Sequence, residues 1–154
     1  MSYELNALIA AAELIHVVAA EVPAAQVVPL GQGLALIPMT DRLHDALQQP
    51  SSSPGPGFTR FPGGFGLRLA AWSKASPLAY VEAATPDGDG TQRAAVWWDG
   101  TVVLGPLRHV PGEPLPTEGA PIDRALHLLG ARPEGGRPES DAIGLTAWAG
   151  GARG

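Results

Sequence analysis

Glu82 is the residue whose type and position most directly suggest chemistry in this chain. It lies within an apolar run, Leu78 to Ala83, where the period-two alternation of a strand puts it on the same face as Tyr80. A carboxylate on a buried face requires a partner, and Arg93 or Gln92, on the following strand-like run, can supply one across the strands. A second interpretation is a ligand-binding carboxylate on an aromatic-lined sheet face, since exposed Trp and Tyr are typical binding anchors. The candidate binding residues are therefore Tyr80, Glu82, Gln92, Arg93, Trp97 and Trp98.

Other motifs that resemble chemical sites are better explained as turns or surface residues. Asp87-Gly88-Asp89-Gly90 is similar to the start of a calcium loop, but Trp98 occupies the twelfth position, where an EF-hand requires Glu. The four histidines never occur at H-x-x-x-H or H-E-x-x-H spacing, the chain has no cysteine, and no serine lies in a G-x-S-x-G context. We therefore predict no catalytic residue, no metal and no cofactor. Whether the protein is an enzyme stays open, with a non-enzyme favoured.

The composition limits the classes of partner. The chain has 154 residues and a formal net charge of −5, and no basic stripe is available to neutralise the phosphates of a nucleic acid or an anionic membrane. An apolar run near the N-terminus, Ala7 to Ala20, is interrupted by Glu13 and His16, and Glu4 stands where a signal peptide carries positive charge. We therefore expect a cytoplasmic protein that binds neither nucleic acid nor membranes.

Turn signals predict two antiparallel units. Asp99-Gly100 lies between β-rich runs, the strongest short-range hairpin signal, and predicts a meander of residues 78–83, 92–98 and a third strand that ends at Leu104. Gly31-Gln32-Gly33 separates the runs 26–30 and 34–39 and predicts a second hairpin. Helical spacing of apolar residues favours four helices, at 10–22, 41–49, 65–75 and 121–129.

These elements predict an α+β fold. We expect a single domain over residues 1–154, with a mostly antiparallel sheet of two hairpin or meander units packed with three to four helices. Residues 50–57, PSSSPGPG, are predicted to form a flexible loop inside that domain, because prolines and glycines block both helix and strand.

Several segments carry a resemblance to a known family. A family of small actinobacterial proteins with an AYVEAEYFGGxGxQxAxVW-like core is similar to this chain over residues 61–97, FPGGFGLRLAAWSKASPLAYVEAATPDGDGTQRAAVW, 98–107, 121–131 and VVPLGQGLALIPMTDRL at 27–43. The loop between Thr85 and Gln92 departs from that core, because it lacks the acidic and aromatic residues after Ala83. The resemblance implies a diverged member of the family and carries over no activity, cofactor or site residue.

Three functional hypotheses follow. Small size, acidity, long loops and the lack of a catalytic constellation favour a non-catalytic cytoplasmic protein-binding module of the immunity or accessory type, since acidic immunity proteins neutralise basic toxins by charge complementarity. The alternatives are a small-molecule binder that uses the Tyr80, Glu82 and Trp97-Trp98 face, and an enzyme that uses Glu82, Arg93 or His109. The expected partner is another protein, and the oligomeric state stays open.

Overall fold

One antiparallel sheet of six strands organises the residues that this computed structural model describes, namely 3–47, 65–85, 92–109, 114, 121–133, 135–136 and 139–144. In chain order the strands are β1 (Tyr3–Ala11), β2 (Val28–Pro29), β3 (Leu34–Pro38), β4 (Leu78–Thr85), β5 (Gln92–Trp98) and β6 (Thr101–His109). Their order in the sheet is β2-β3-β1-β4-β5-β6. The N-terminal strand therefore lies between the hairpin and the meander and joins them into one sheet.

Helices cover both faces of this sheet. They are α1 (Ala12–Glu21), α2 (Asp41–Leu47), α3 (Phe65–Trp72), α4 (Pro121–Leu128) and α5 (Glu139–Ala142). The first three contribute buried residues to one apolar cluster, and the strand residues of that cluster define what we call the α1 face. The fourth packs in a second cluster on the opposite side, here called the α4 face. Because both faces are covered, strands such as β3 are buried at consecutive positions and show no alternation of apolar and polar residues.

Local sequence explains where the elements begin and end. The apolar stripe Leu14, Ile15 and Val18 is buried on α1, and the helix ends before Pro23, which cannot continue it. Thr40 caps α2 through a hydrogen bond from the Leu43 amide to its hydroxyl, 3.1 Å long. The turn Asp99-Gly100 has φ of 53° and 86°, the positive values that a type I′ hairpin turn requires.

The predicted α+β fold and both antiparallel units are confirmed, with differences at β6 and at α5. The third strand of the meander does not end at Leu104; β6 continues through Gly105-Pro106 to His109, because an edge strand tolerates a proline at a bulge. A short fifth helix, α5, follows the four helices that the sequence predicts. The predicted flexible loop at 50–57 lies outside the described residues.

Candidate functional site

The six predicted binding residues lie on two opposite faces of the sheet. Strand alternation puts Tyr80, Glu82, Arg93 and Trp97 on the α1 face, where Tyr80 and Trp97 belong to the buried cluster. Gln92 and Trp98 alternate with them and lie on the α4 face. The structure therefore brings four of the six together, and the other two form a separate pair of positions at opposite ends of β5.

The six predicted residues also differ in how far their side chains are exposed. Tyr80 is 0% exposed and Trp97 is 7% exposed, so both are core residues beneath the helices of the α1 face. Gln92 has a structural task, because its Oε1 accepts a hydrogen bond from the Ile122 amide, 3.4 Å away, at the first turn of α4. Trp98 is 43% exposed. Of the three predicted aromatic binding residues, it is the one that a partner can reach.

A polar row crosses four strands on the α1 face. The register opposes Asn6 on β1 to Glu82, Glu82 to Arg93, and Arg93 to Arg108 on β6. Exposure rises from Glu82 toward β6: Glu82 is 2% exposed, Arg93 is partly buried and Arg108 is exposed. The row therefore runs from the covered centre of the sheet to its open edge.

The predicted opposition of Glu82 and Arg93 is confirmed by the register, but no ion pair joins their side chains. Glu82 is nevertheless not without a partner. Cross-strand neighbours on one face have Cβ atoms about 5 Å apart, and long side chains at that spacing can diverge. A partner is what a carboxylate that is 2% exposed requires.

An exposed apolar patch lies at the hairpin between β5 and β6. Trp98 and Val103 are 43% and 50% exposed, and Val103 lies two residues beyond Thr101, the register partner of Trp98. Val102 is 46% exposed, but it opposes Trp97 and so lies on the α1 face. We call Trp98 and Val103 the apex surface. Large aromatic residues beside aliphatic ones at an exposed site are typical of binding anchors.

The turn beneath the apex surface is held by a buried serine at the end of α3. Ser73 is 0% exposed; its hydroxyl donates to the Ala70 carbonyl at 2.7 Å and accepts from the Gly100 amide at 3.0 Å. The Asp99 amide also donates to the Ser73 carbonyl at 3.0 Å. These contacts fix the hairpin tip to the helix and so hold the apex surface in one geometry.

The described cavity on the α1 face does not suit a ligand. It has a volume of about 10 Å³ and is lined by apolar side chains, among them Leu8, Met39 and Trp72. Ligand pockets typically have volumes of roughly 300–1,000 Å³ and include placed polar groups. Such a small apolar void is a packing defect of the core.

The described residues contain neither a candidate metal site nor a candidate membrane-spanning helix. No three His, Asp or Glu side chains among them lie close enough together to hold a metal ion. None of their helices has the length and apolar character needed to cross a bilayer.

Comparison with known protein families, with curated proteins and with solved structures finds no match for this chain. The resemblance to an actinobacterial family therefore stays a prediction.

Sequence reasoning missed three exposed positions at the edge of the sheet, Val102, Val103 and Arg108. The valines look like ordinary strand residues, and only the exposure of the edge makes them accessible. Arg108 lies beyond Gly105-Pro106, a dipeptide that usually ends a strand. Ser73 carried a weak signal, since a polar residue directly after Trp72 at the end of a helix is a common place for local hydrogen bonds.

Proposed function

We propose that this chain is a non-catalytic protein-binding module that contacts its partner through the apex surface. The observation that carries the proposal is Trp98, which is 43% exposed near Val103 on a turn anchored by Ser73. Tryptophan is enriched among the residues that dominate binding energy at protein interfaces. An exposed tryptophan at a fixed position supplies a large contact area at little cost in conformational entropy.

Contact through side chains is favoured over the addition of a partner strand to β6. The pairing of β5 with β6 shifts register twice, and the edge carries Pro106 and Arg108. Bulges, proline and charge are the features that prevent edge-to-edge strand pairing. A partner would therefore meet the apolar tip of the hairpin and not extend the sheet.

A small-molecule binder or enzyme on the Tyr80, Glu82 and Trp97 face is a weaker candidate. Tyr80 and Trp97 belong to the buried cluster to which α1, α2 and α3 contribute, so a ligand would have to open that cluster to reach them. The cytoplasmic location and the immunity or accessory type of the module remain parts of the proposal that rest on small size and acidity.

The proposal is tested with Trp98→Ser and a matched control, Leu128→Ser, whose side chain is 47% exposed on α4. Equal amounts of tagged wild-type and variant protein are incubated with lysate of the source cell, and captured proteins are quantified by mass spectrometry. We expect Trp98→Ser to reduce capture of a specific partner about tenfold or more, as loss of a binding anchor does, and Leu128→Ser to leave it unchanged.

Urea denaturation of both variants shows whether the fold is intact, because substitutions at exposed positions change stability by about 0.5 kcal/mol or less. Partner capture that survives Trp98→Ser in a folded protein contradicts the proposal. An equal loss of partner capture in Trp98→Ser and Leu128→Ser would also contradict the proposal, because the effect would then not be specific to the apex surface.

A further inference from the structure

Two arginines are directly opposed at the open edge of the sheet. Arg93 on β5 and Arg108 on β6 are register partners on the α1 face, which places their Cβ atoms about 5 Å apart. Arg108 is exposed and Arg93 is partly buried. The two guanidinium groups can therefore reach one common point above the edge.

This opposition depends on bulges in β6. Near the turn Trp98 pairs with Thr101 and Trp97 with Val102, and the same register continued along β5 would place Pro106 opposite Arg93. The pairing shifts between Val96 and Trp97 and again between Ala94 and Val96. Each shift adds one residue to β6, and the result is Arg108 opposite Arg93. Bulges commonly re-aim a side chain beside a functional site.

The two guanidinium groups form no ion pair with the described residues, although Glu82 opposes Arg93 on the neighbouring strand. Glu82 has an interaction of its own. Like charges directly opposite each other on adjacent strands are destabilising. A third guanidinium, Arg68, lies on α3, which packs on β5 over the same face, and its buried Nε has no hydrogen-bond partner among the described residues.

We propose that Arg93 and Arg108 together bind one oxyanion, the carboxylate or phosphate group of a ligand. A guanidinium is planar and presents paired N–H donors that match the oxygens of both groups. An anion between the two arginines removes their repulsion and satisfies donors that the described residues leave unused. The site lies at the opposite end of β6 from the apex surface, so it does not depend on the proposed protein partner.

The test is a titration of ¹⁵N-labelled full-length protein at constant ionic strength, with inorganic phosphate in one arm and acetate in the other. The Nε–Hε signals of Arg93 and Arg108 are followed by NMR. We expect both signals to shift and saturate, in roughly the millimolar range typical of a small ion at an open site. Tighter binding of phosphate identifies a phosphate-bearing ligand, and tighter binding of acetate identifies a carboxylate.

Arg108→Gln on the exposed edge should weaken the anion affinity about tenfold, the loss expected when one charged hydrogen-bonding partner is removed. Arg93→Lys retains the positive charge but lacks the planar guanidinium with its paired N–H donors, so it should weaken the anion affinity by a smaller factor. Arg42→Gln, an exposed arginine on α2, is the control and should bind as the wild type does. Shifts that stay linear, or a dissociation constant unchanged in Arg108→Gln, would overturn the proposal and leave only adventitious ion binding.

Discussion

At the scale of single residues, the backbone geometry of the sheet edge depends on Gly105. Its φ is +82°, and a Cβ at this position would lie 2.5 Å from the Ala94 carbonyl oxygen and 2.6 Å from the Leu107 amide nitrogen. The residue therefore needs both a left-handed backbone and the absence of a side chain. Because it lies within the second register shift of β6, the opposition of Arg93 and Arg108 depends on it.

Gly105→Ala should therefore destabilise the protein more than a glycine substitution that only strains the backbone. Gly33 is the matched control, since its φ is +78° and nothing lies within 4 Å of its added Cβ. Urea denaturation should show a loss of about 1–2 kcal/mol for Gly33→Ala. Gly105→Ala should cost a further 1–3 kcal/mol or so, as forced overpacking does. Equal losses would mean that the bulge relaxes to accept a methyl group.

At the scale of elements, α4 is the helix whose packing follows most directly from its sequence. Leu126 is 0% exposed and Leu128, two residues later, is 47% exposed, as expected for a helix with one apolar face. Leu126→Ala should reduce the free energy of unfolding by about 2–5 kcal/mol, because it opens a cavity against the sheet. Leu128→Ala should change it by about 0.5 kcal/mol or less. Similar costs in denaturant titrations of the two variants would contradict this orientation of the helix.

Elements of this kind could be predicted from the sequence because their signals are local. The Asp99-Gly100 turn, the Gly31–Gly33 turn and the stripe of α4 each lie within a few residues. The position of β1 between β3 and β4 could not be predicted, since strand pairing over long separations has no local signature.

The candidate site was predicted only in part for the same reason. Helical cover on the α1 face buries Tyr80 and Trp97, and no pattern within β4 or β5 distinguishes a covered sheet face from an open one. Arg93 was found because it lies on a clear strand. Arg108 was missed because its register with Arg93 depends on two bulges that no pattern in the sequence predicts.

At the scale of the whole molecule, the hairpin between β2 and β3 ties the N-terminal half of the chain to the C-terminal helices. The Gln32 side chain accepts a hydrogen bond from the Arg132 amide at 2.8 Å and donates to the Arg132 carbonyl at 3.0 Å. One residue earlier, the Gly31 amide donates to the Ile143 carbonyl at 2.7 Å. The same turn also holds the start of α1, because the Ala12 amide donates to the Gly33 carbonyl.

Removal of the Gln32 side chain should loosen this whole connection. Gln32→Ala deletes two hydrogen bonds between segments 100 residues apart and should lower the free energy of unfolding by about 1–2 kcal/mol. Gln26→Ala, an exposed glutamine in the segment before β2, is the control and should have almost no effect. Hydrogen exchange at the Gly31 amide reports whether the segment around Ile143 is released, since that amide is bonded to it. We expect faster exchange there in Gln32→Ala only, whereas unchanged protection would mean that the Gln32 and Gly31 contacts hold the C-terminal segments independently.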